Sequence, residues 1–478
     1  MTLLSTHTIS KLARSFDYDR SAVAIGIMHF GIGNFHRAHQ AVYIDDLLST
    51  GETQWGITGV SLRSPTMRDK LKPQDYLYTL AILGSSTEYR IIGAIKNVLV
   101  APSEPDAVIN LIAKPAIQLI SSTITEKGYS LASGKVDFSN AGLQAEIASL
   151  ESPSTIYGFL ARGIMQRSQN KPSSKLTIMC CDNISKGGEF LKSGVEHLLN
   201  IHAPEALSWA DQNVSFISSM VDRVSPATDD VLKDSVLRDT KHKDNAPVSA
   251  EPFTQWIIED NFAGVRPSFD KVGAAFVSNI EPFERMKLRY LNAAHSMAST
   301  LGYLSGDTYV HEALERAEVL KFMRDALYKN VLPNAAVPRG YDGRVYIEDV
   351  IKRFQNSSLP YANLQVGTDS SQKIQQRWFP TIDQALINNA DTSYFAFCLG
   401  AWVTFIREAL QNNVLKDPKK SNFKDVKTAD LNQVIERYLK IANADQFKFF
   451  KNVNFMNAVN QHAQAVIAKD IKQAIIDF

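Results

Sequence analysis

The chain has 478 residues, a length that predicts two or three domains. With 51 Lys and Arg against 50 Asp and Glu, its net charge of +1 leaves no basic excess to neutralise nucleic-acid phosphates. Hydrophobic residues at 45% and charged residues at 21% exclude a disordered chain. No stretch approaches the roughly 20 apolar residues that span a bilayer, and the N-terminus lacks the apolar core of a signal peptide. We therefore expect a cytoplasmic protein without nucleic-acid or membrane partners.

The first part of the chain alternates short apolar runs with helical patterns. The runs lie at 24–30, 55–62, 89–95, 116–124 and 175–182. This alternation predicts a parallel sheet with crossover helices, an α/β doubly wound fold of the Rossmann type.

The second part of the chain has the pattern of amphipathic helices. Apolar residues recur every three or four positions at 286–304, 310–332, 394–410, 431–442 and 453–476. We therefore predict two domains. Residues 1–283 form a dinucleotide-binding domain, residues 284–478 form a mainly helical substrate and catalytic domain, and the active site lies in the cleft between them.

A glycine turn follows the first strand, in the segment GIGNFHRAH. Backbone N–H groups at such a turn, together with a helix N-terminus, favour a phosphate. The third glycine of G-x-G-x-x-G is absent, so a plain strand-to-helix turn stays an alternative. The predicted cofactor residues here are Gly31, Gly33, Asn34, Phe35 and Arg37, the last as a charge-assisted contact to a pyrophosphate.

The end of the second strand bears on the choice between NAD and NADP. A dinucleotide fold usually has an acid there that binds the ribose 2′-hydroxyl, whereas this chain has Arg63. An arginine at this place accommodates a 2′-phosphate or lies over an adenine. We expect NAD as the cofactor, with NADP as the alternative.

A Lys-Asn-His set opens the second domain. On an α-helix, Asn292 lies about 140° and His295 about 80° around the axis from Lys287, so all three fit one face. A lysine partly removed from water exchanges a proton near neutral pH, an Asn amide stabilises an alkoxide, and a His orients a hydroxyl. On spacing alone, a surface or interface role stays open.

Two further segments follow apolar runs, where strand ends face the cofactor in an open α/β sheet. TITEKGY contributes Thr125 and Glu126 as cofactor residues, and CDNISKGG contributes Asn183 as a second oxyanion donor. No acid or cysteine lies at zinc spacing from His36 and His39, so we expect no metal site.

Six motifs occur in one order along the chain: GIGNFHRAH, TITEKGY, MCCDN, MVDR, QWIIEDNF and KLRYLNAAHS. Together they resemble the polyol-specific long-chain dehydrogenase/reductase family, which includes mannitol 2-dehydrogenase and fructuronate reductase (D-mannonate oxidoreductase). The resemblance spans about residues 20 to 400. It implies an NAD-dependent oxidoreductase without a catalytic metal, and a monomer.

The resemblance also assigns roles. The family's K-x₄-N-x₂-H motif falls on Lys287 as general base, Asn292 as oxyanion donor with Asn183, and His295 as the residue that positions the substrate. Asp222 of MVDR matches a substrate-site position. Glu284 matches an acid that gates proton exchange between Lys287 and water.

The segment 365–377 matches the family loop that sets substrate choice. Here Lys373 keeps the family's lysine, Gln365 stands where mannitol dehydrogenases have an arginine, and Arg377 is placed to pair with a carboxylate. This pattern favours fructuronate and mannonate slightly over fructose and mannitol. The partner is thus a polyol, ketose or keto sugar acid, with mannitol 2-dehydrogenase or another polyol dehydrogenase as the alternative activity.

Two rivals belong to other classes. A methyltransferase also uses a G-x-G turn, but the Lys-Asn-His set has no task there. A dinucleotide-sensing protein without catalysis would not need the lysine, both asparagines and the histidine together.

Overall fold

The computed structural model describes residues 2–9, 11–132, 134–170, 173–426 and 430–478. The chain divides into two compact units, Met1–Ile280 and Glu281–Phe478. Within the described ranges, no helix is long and apolar enough to cross a membrane.

An eight-stranded sheet organises the first unit. Its strands in chain order are β1 Ile25–Phe30, β2 Gly56–Ser61, β3 Ile95–Val100, β4 Leu119–Ser122, β5 Leu176–Cys180, β6 Val214–Asp222, β7 Gln255–Glu259 and β8 Ala275–Val277. They lie side by side in the order β3-β2-β1-β4-β5-β6-β7-β8. The first six are parallel and β7 runs antiparallel to β6. The predicted doubly wound Rossmann-type fold is confirmed.

The direction of the strand order reverses between β1 and β4. Connections from β1 lead outward to β2 and β3 on one side, and β4, β5 and β6 continue on the other. At such a switch point the loops after the strand ends diverge and leave a crevice, the usual ligand site of open α/β sheets.

One predicted strand belongs to a different sheet. The run at 89–95 falls on Thr87–Ile92, which pairs antiparallel with Tyr78–Leu83. A third strand, Val248–Ala250, completes this small sheet. The prediction that residues 89–95 form a strand of the parallel sheet was therefore wrong. The strand of the main sheet that follows this run in the chain is β3.

Helices and short strands complete the first unit. Its α-helices are Asn34–Ala38, Gln40–Ser49, Thr66–Leu71, Pro105–Ala113, Ala141–Ala148, Ile156–Asn170, Gly187–His202, Pro204–Asn213 and Asp230–Thr240. The short strands pair Thr2–Leu3 with His242–Lys243, and Leu131–Ala132 with Lys135–Val136. The first pair brings the N-terminus against a residue 240 positions away, and Leu4, next to it, is fully buried.

The second unit is mainly helical, as predicted, with loops between its helices. Its α-helices are Glu281–Lys287, Ala293–Leu304, Val310–Glu315, Ala317–Ala326, Gly343–Phe354, Asn363–Val366, Ser370–Arg377, Phe379–Ile387, Ser393–Gln411, Lys420–Lys424, Leu431–Ile441, Val453–Lys469 and Ile471–Ile476. Two π-helical segments interrupt them, Leu288–Asn292 and Leu327–Val331. The helix Ser393–Gln411 is buried over most of its length, because it is apolar on nearly every side.

Candidate active site

The glycine turn lies directly after β1. Gly31 adopts φ +99°, and a Cβ there would lie 2.0 Å from the Thr123 carbonyl oxygen, so no other residue fits without a backbone shift. At Gly33 nothing lies within 4 Å of the position that a Cβ would take. The protein's own packing therefore does not require a glycine at position 33. The space next to its Cα is open to an external group.

Two stacked imidazoles lie beneath the turn. His29 in β1 and His36 stack with ring centroids 3.5 Å apart. His29 also hydrogen-bonds to Ser121 Oγ at 2.7 Å and Thr123 Oγ1 at 2.8 Å. Burial lowers the pKa of His29 to about 3 and the pKa of His36 well below its usual value, so both rings are neutral. His36 stands at the position of the third glycine of G-x-G-x-x-G, where a glycine allows the helix to pack closely on the strand. Here the His36 ring, stacked on His29, lies between helix and strand instead.

The Arg37 side chain turns into the protein. It is 1% exposed and donates to the Ala246 carbonyl and to Asn34 Oδ1, the second bond at 2.7 Å. Asn34 in turn donates to the Pro226 carbonyl at 3.0 Å. Asn34 thus ties the start of the helix to the loop after β6, and Arg37 ties it to the loop before the strand Val248–Ala250.

Asp182 holds the segment after β4. Its carboxylate accepts the backbone N–H of Ile124 at 2.8 Å, that of Thr125 at 2.9 Å and the Tyr129 hydroxyl at 2.6 Å. Burial raises the pKa of Asp182, and these hydrogen bonds oppose the rise. Thr125 has φ +65°, which is uncommon for a residue other than glycine and asparagine. A carboxylate from the segment after β5 therefore fixes a strained backbone that presents Thr125 and the exposed Glu126.

The remaining predicted residues of this unit also lie at carboxyl ends of parallel strands. Arg63 is exposed and follows β2 by two residues, Asn183 is exposed and follows β5, and Asp222 is the last residue of β6 and 4% exposed. Across the described residues, no group of three His, Cys, Asp or Glu side chains is arranged to hold a metal ion.

In the second unit, Lys287, Asn292 and His295 lie on one interrupted helix. Lys287 ends the first α-helical piece, Asn292 ends the π-helical segment, and both are 8% exposed. His295 stacks on Phe354 with centroids 4.4 Å apart and meets Tyr361 edge-on. The π-segment changes the angular spacing that a continuous α-helix would give, and such insertions are frequent at functional sites.

The predicted substrate loop is mostly helical, because Ser370–Arg377 forms an α-helix, and it lies against this helix. Arg377 donates to Ser296 Oγ at 2.9 Å and to the Asn292 carbonyl at 3.2 Å, and burial lowers its pKa to about 10. Lys373 donates to the Val366 carbonyl at 3.1 Å, one residue after the exposed Gln365. The structure thus brings Arg377 to the helix that carries Lys287, Asn292 and His295, whereas Gln365 is exposed.

Two features of the first unit were absent from the sequence predictions. Asp182 stands inside the C-D-N motif, but its role depends on strand pairing that places Cys180 opposite Ser122. His29 was hidden in an apolar run. The only available signal was a polar residue inside a buried strand, since such groups need hydrogen-bond partners.

Comparisons with known proteins cover both units. The mannitol dehydrogenase Rossmann domain matches residues 25–271, and the mannitol dehydrogenase C-terminal domain matches residues 279–467. The D-mannonate oxidoreductase of Escherichia coli (strain K12) is 35% identical over 400 residues, covering 81% of each chain. The polyol:NADP oxidoreductase of Gluconobacter oxydans (strain 621H) is 33% identical over 399 residues, covering 82% of each.

A solved structure matches the whole chain. It is the ternary complex of Pseudomonas fluorescens mannitol 2-dehydrogenase with NAD and D-mannitol, at a TM-score of 0.84 and 30% identity, covering 100% of this chain and 99% of that one.

Proposed function

The chain belongs to the mannitol dehydrogenase family, and on that premise we propose that it is an NAD-dependent oxidoreductase interconverting a secondary alcohol and a ketone on an open-chain sugar derivative. The observation that carries the proposal is the joint presence of a glycine turn at a sheet switch point and a buried Lys-Asn pair on one helix.

The residues of the first unit fit a dinucleotide. Gly31 makes the sharp turn, and the open space at Gly33 lets a pyrophosphate approach the backbone. Thr125 and Glu126 lie after β4, across the switch point from the turn. When bound, the nicotinamide accepts or supplies the hydride. The relative solved with NAD supports NAD, and the relative named for NADP keeps NADP as the alternative.

The proton is transferred by side chains of the protein, whereas the cofactor transfers the hydride. We assign Lys287 as the base that takes the hydroxyl proton during oxidation and returns it during reduction. Asn292 and Asn183 donate to the oxygen on which charge develops, and His295, held between Phe354 and Tyr361, orients the substrate. Glu284 is proposed to gate exchange of the Lys287 proton with water.

The proposed substrate is D-fructuronate, reduced to D-mannonate, with fructose and mannitol as the second candidate pair. Arg377 supports a carboxylate, since its guanidinium makes two bonds to the catalytic helix and has five N–H donors in all. Asp222, Gln365 and Lys373 are the other proposed substrate residues. The mannonate-named relative favours the first pair, and the relative solved with D-mannitol favours the second.

The test is the rate of NADH oxidation with fructuronate and with fructose, each repeated with NADPH. We expect turnover with fructuronate and a loss of about 10²–10⁴-fold in Lys287→Ala with NADH affinity retained. Lys352→Ala, an exposed lysine of the same unit, is the matched control. Near-normal turnover in Lys287→Ala would overturn the assignment of the base.

A further inference from the structure

A cavity of about 410 Å³ lies in the second unit, where the helices Ala293–Leu304, Ser393–Gln411 and Val453–Lys469 end. Its volume lies within the range of small-molecule sites. Leu304, which lines it, follows His295 by nine residues, so this part of the wall lies about 14 Å along the helix from that histidine. The cavity is therefore not part of the proposed active site.

One part of the wall is aliphatic. It is formed by Leu304, Val466, Ile467 and Ile471. Val466 and Ile471 are buried, whereas Ile467 is 46% exposed. Removal of such apolar surface from water is favourable, so this part of the wall suits an apolar group of a ligand.

Arg407 and Glu408 give the wall one positive and one negative charge. Both side chains are half-buried, and within the described part of the chain neither makes a hydrogen bond or an ion pair. Burial raises the pKa of Glu408, and the positive charge of Arg407 opposes that rise. The two groups therefore lie near enough to interact, yet the donors of one and the acceptors of the other stay available to a ligand.

Two further polar residues line the cavity. Asp470 adds a second carboxylate, which already accepts the Gln473 N–H at 2.9 Å as the cap of the last helix. Gln411 is exposed and adds a side-chain amide that both donates and accepts. The polar part of the wall can thus compensate both a negative and a positive group.

We propose that this cavity binds an α-amino acid with an aliphatic side chain. The carboxylate of the amino acid pairs with Arg407, its ammonium group pairs with Glu408, and its side chain packs on Ile467. A simple amine leaves Arg407 without a partner, and a simple carboxylate brings a second negative charge to Glu408, whereas a zwitterion compensates both. The site lies wholly within the second unit and does not depend on the proposed dehydrogenase activity.

The test is calorimetric titration of the full chain with L-leucine and with two analogues that each lack one charge. Isocaproate keeps the carboxylate and the side chain, and isoamylamine keeps the amine and the side chain. We expect one L-leucine per chain and about tenfold weaker binding of each analogue, because each loses one charge-assisted interaction. An analogue that binds as tightly as L-leucine overturns the proposal, as does a chain that binds no L-leucine.

Substitutions assign each charge to its partner. In Arg407→Gln, L-leucine should bind about as weakly as isoamylamine binds the unsubstituted chain, and in Glu408→Gln about as weakly as isocaproate does. The matched control is Arg437→Gln, because Arg437 is exposed on the helix Leu431–Ile441 and does not line the cavity. This variant should bind L-leucine as the unsubstituted chain does. Unchanged L-leucine affinity in either Arg407→Gln or Glu408→Gln overturns the proposal.

Discussion

Replacing Asp182 tests whether this carboxylate holds the segment after β4. Asp182→Ala removes the acceptor for the Ile124 and Thr125 N–H groups and for the Tyr129 hydroxyl. The Thr125 N–H is exposed and rehydrates, and Tyr129 keeps Ser122 Oγ at 2.8 Å. The Ile124 N–H is then the one donor left without a partner, and an unsatisfied buried donor costs about 1–3 kcal/mol, so we expect a loss of about 1–3 kcal/mol in the free energy of unfolding.

Chemical denaturation measures that loss in the free energy of unfolding. Titration with NADH measures whether the substitution weakens cofactor binding by the segment that presents Thr125 and Glu126. Asp182→Asn keeps one acceptor oxygen. Its free energy of unfolding and its NADH affinity should therefore lie between those of Asp182→Ala and the unsubstituted chain. Asp211→Ala is the control, because Asp211 is exposed and surface substitutions usually stay within about 0.5 kcal/mol. Equal unfolding free energies for Asp182→Ala and Asp211→Ala would refute the reasoning.

Three further changes probe the first unit. His29 has a folded pKa near 3 against an ordinary 6.5, so the unfolded chain takes up its proton first. Between pH 6.5 and pH 5, His29 alone should contribute a fall of about 2 kcal/mol in the free energy of unfolding. Denaturation of His29→Gln should therefore show a fall smaller by that amount. Asp45→Ala leaves the buried Arg90, 2.6 Å away, with only partial compensation, and should cost about 3 kcal/mol by the same measurement. Gly31→Ala should lower the melting temperature, whereas Gly33→Ala should leave it unchanged and weaken NADH binding; equal effects in both assays would contradict the distinction between the two glycines.

Periodicity predicted the fold class because burial of a whole strand and of one helix face leaves different sequence patterns. The prediction for residues 89–95 failed because a local apolar pattern does not show which strand a strand pairs with. An apolar strand of a small antiparallel sheet has the same local pattern as one in a parallel sheet, and only pairing with Tyr78–Leu83 distinguishes them. The predicted helix at 310–332 is broken at Arg316, whose extended backbone no proline or glycine signals.

The candidate site was predictable where a residue acts through its own chemistry. The glycine turn and the Lys-Asn-His set could be proposed from their residue types, although spacing alone left a plain turn and a surface role as alternatives. Asp182 acts on backbone groups 57 and 58 residues away, and only the register of β4 with β5 brings them together. The π-segment between Lys287 and Asn292 left no signal, since one extra residue per turn needs no particular side chain.

The pairing of Thr2–Leu3 with His242–Lys243 has a consequence for synthesis on the ribosome. Residues Thr2–Leu3 leave the exit tunnel long before His242–Lys243 has been synthesised. At about 5–20 residues per second, the 240 positions from Thr2 to His242 take on the order of ten to fifty seconds to synthesise. During that interval Leu4 can already pack against Leu77 and Ile91, which share its buried apolar cluster, whereas the strand backbone still lacks its partner. The backbone groups of Thr2–Leu3 therefore cannot make their native hydrogen bonds until His242 and Lys243 have been synthesised.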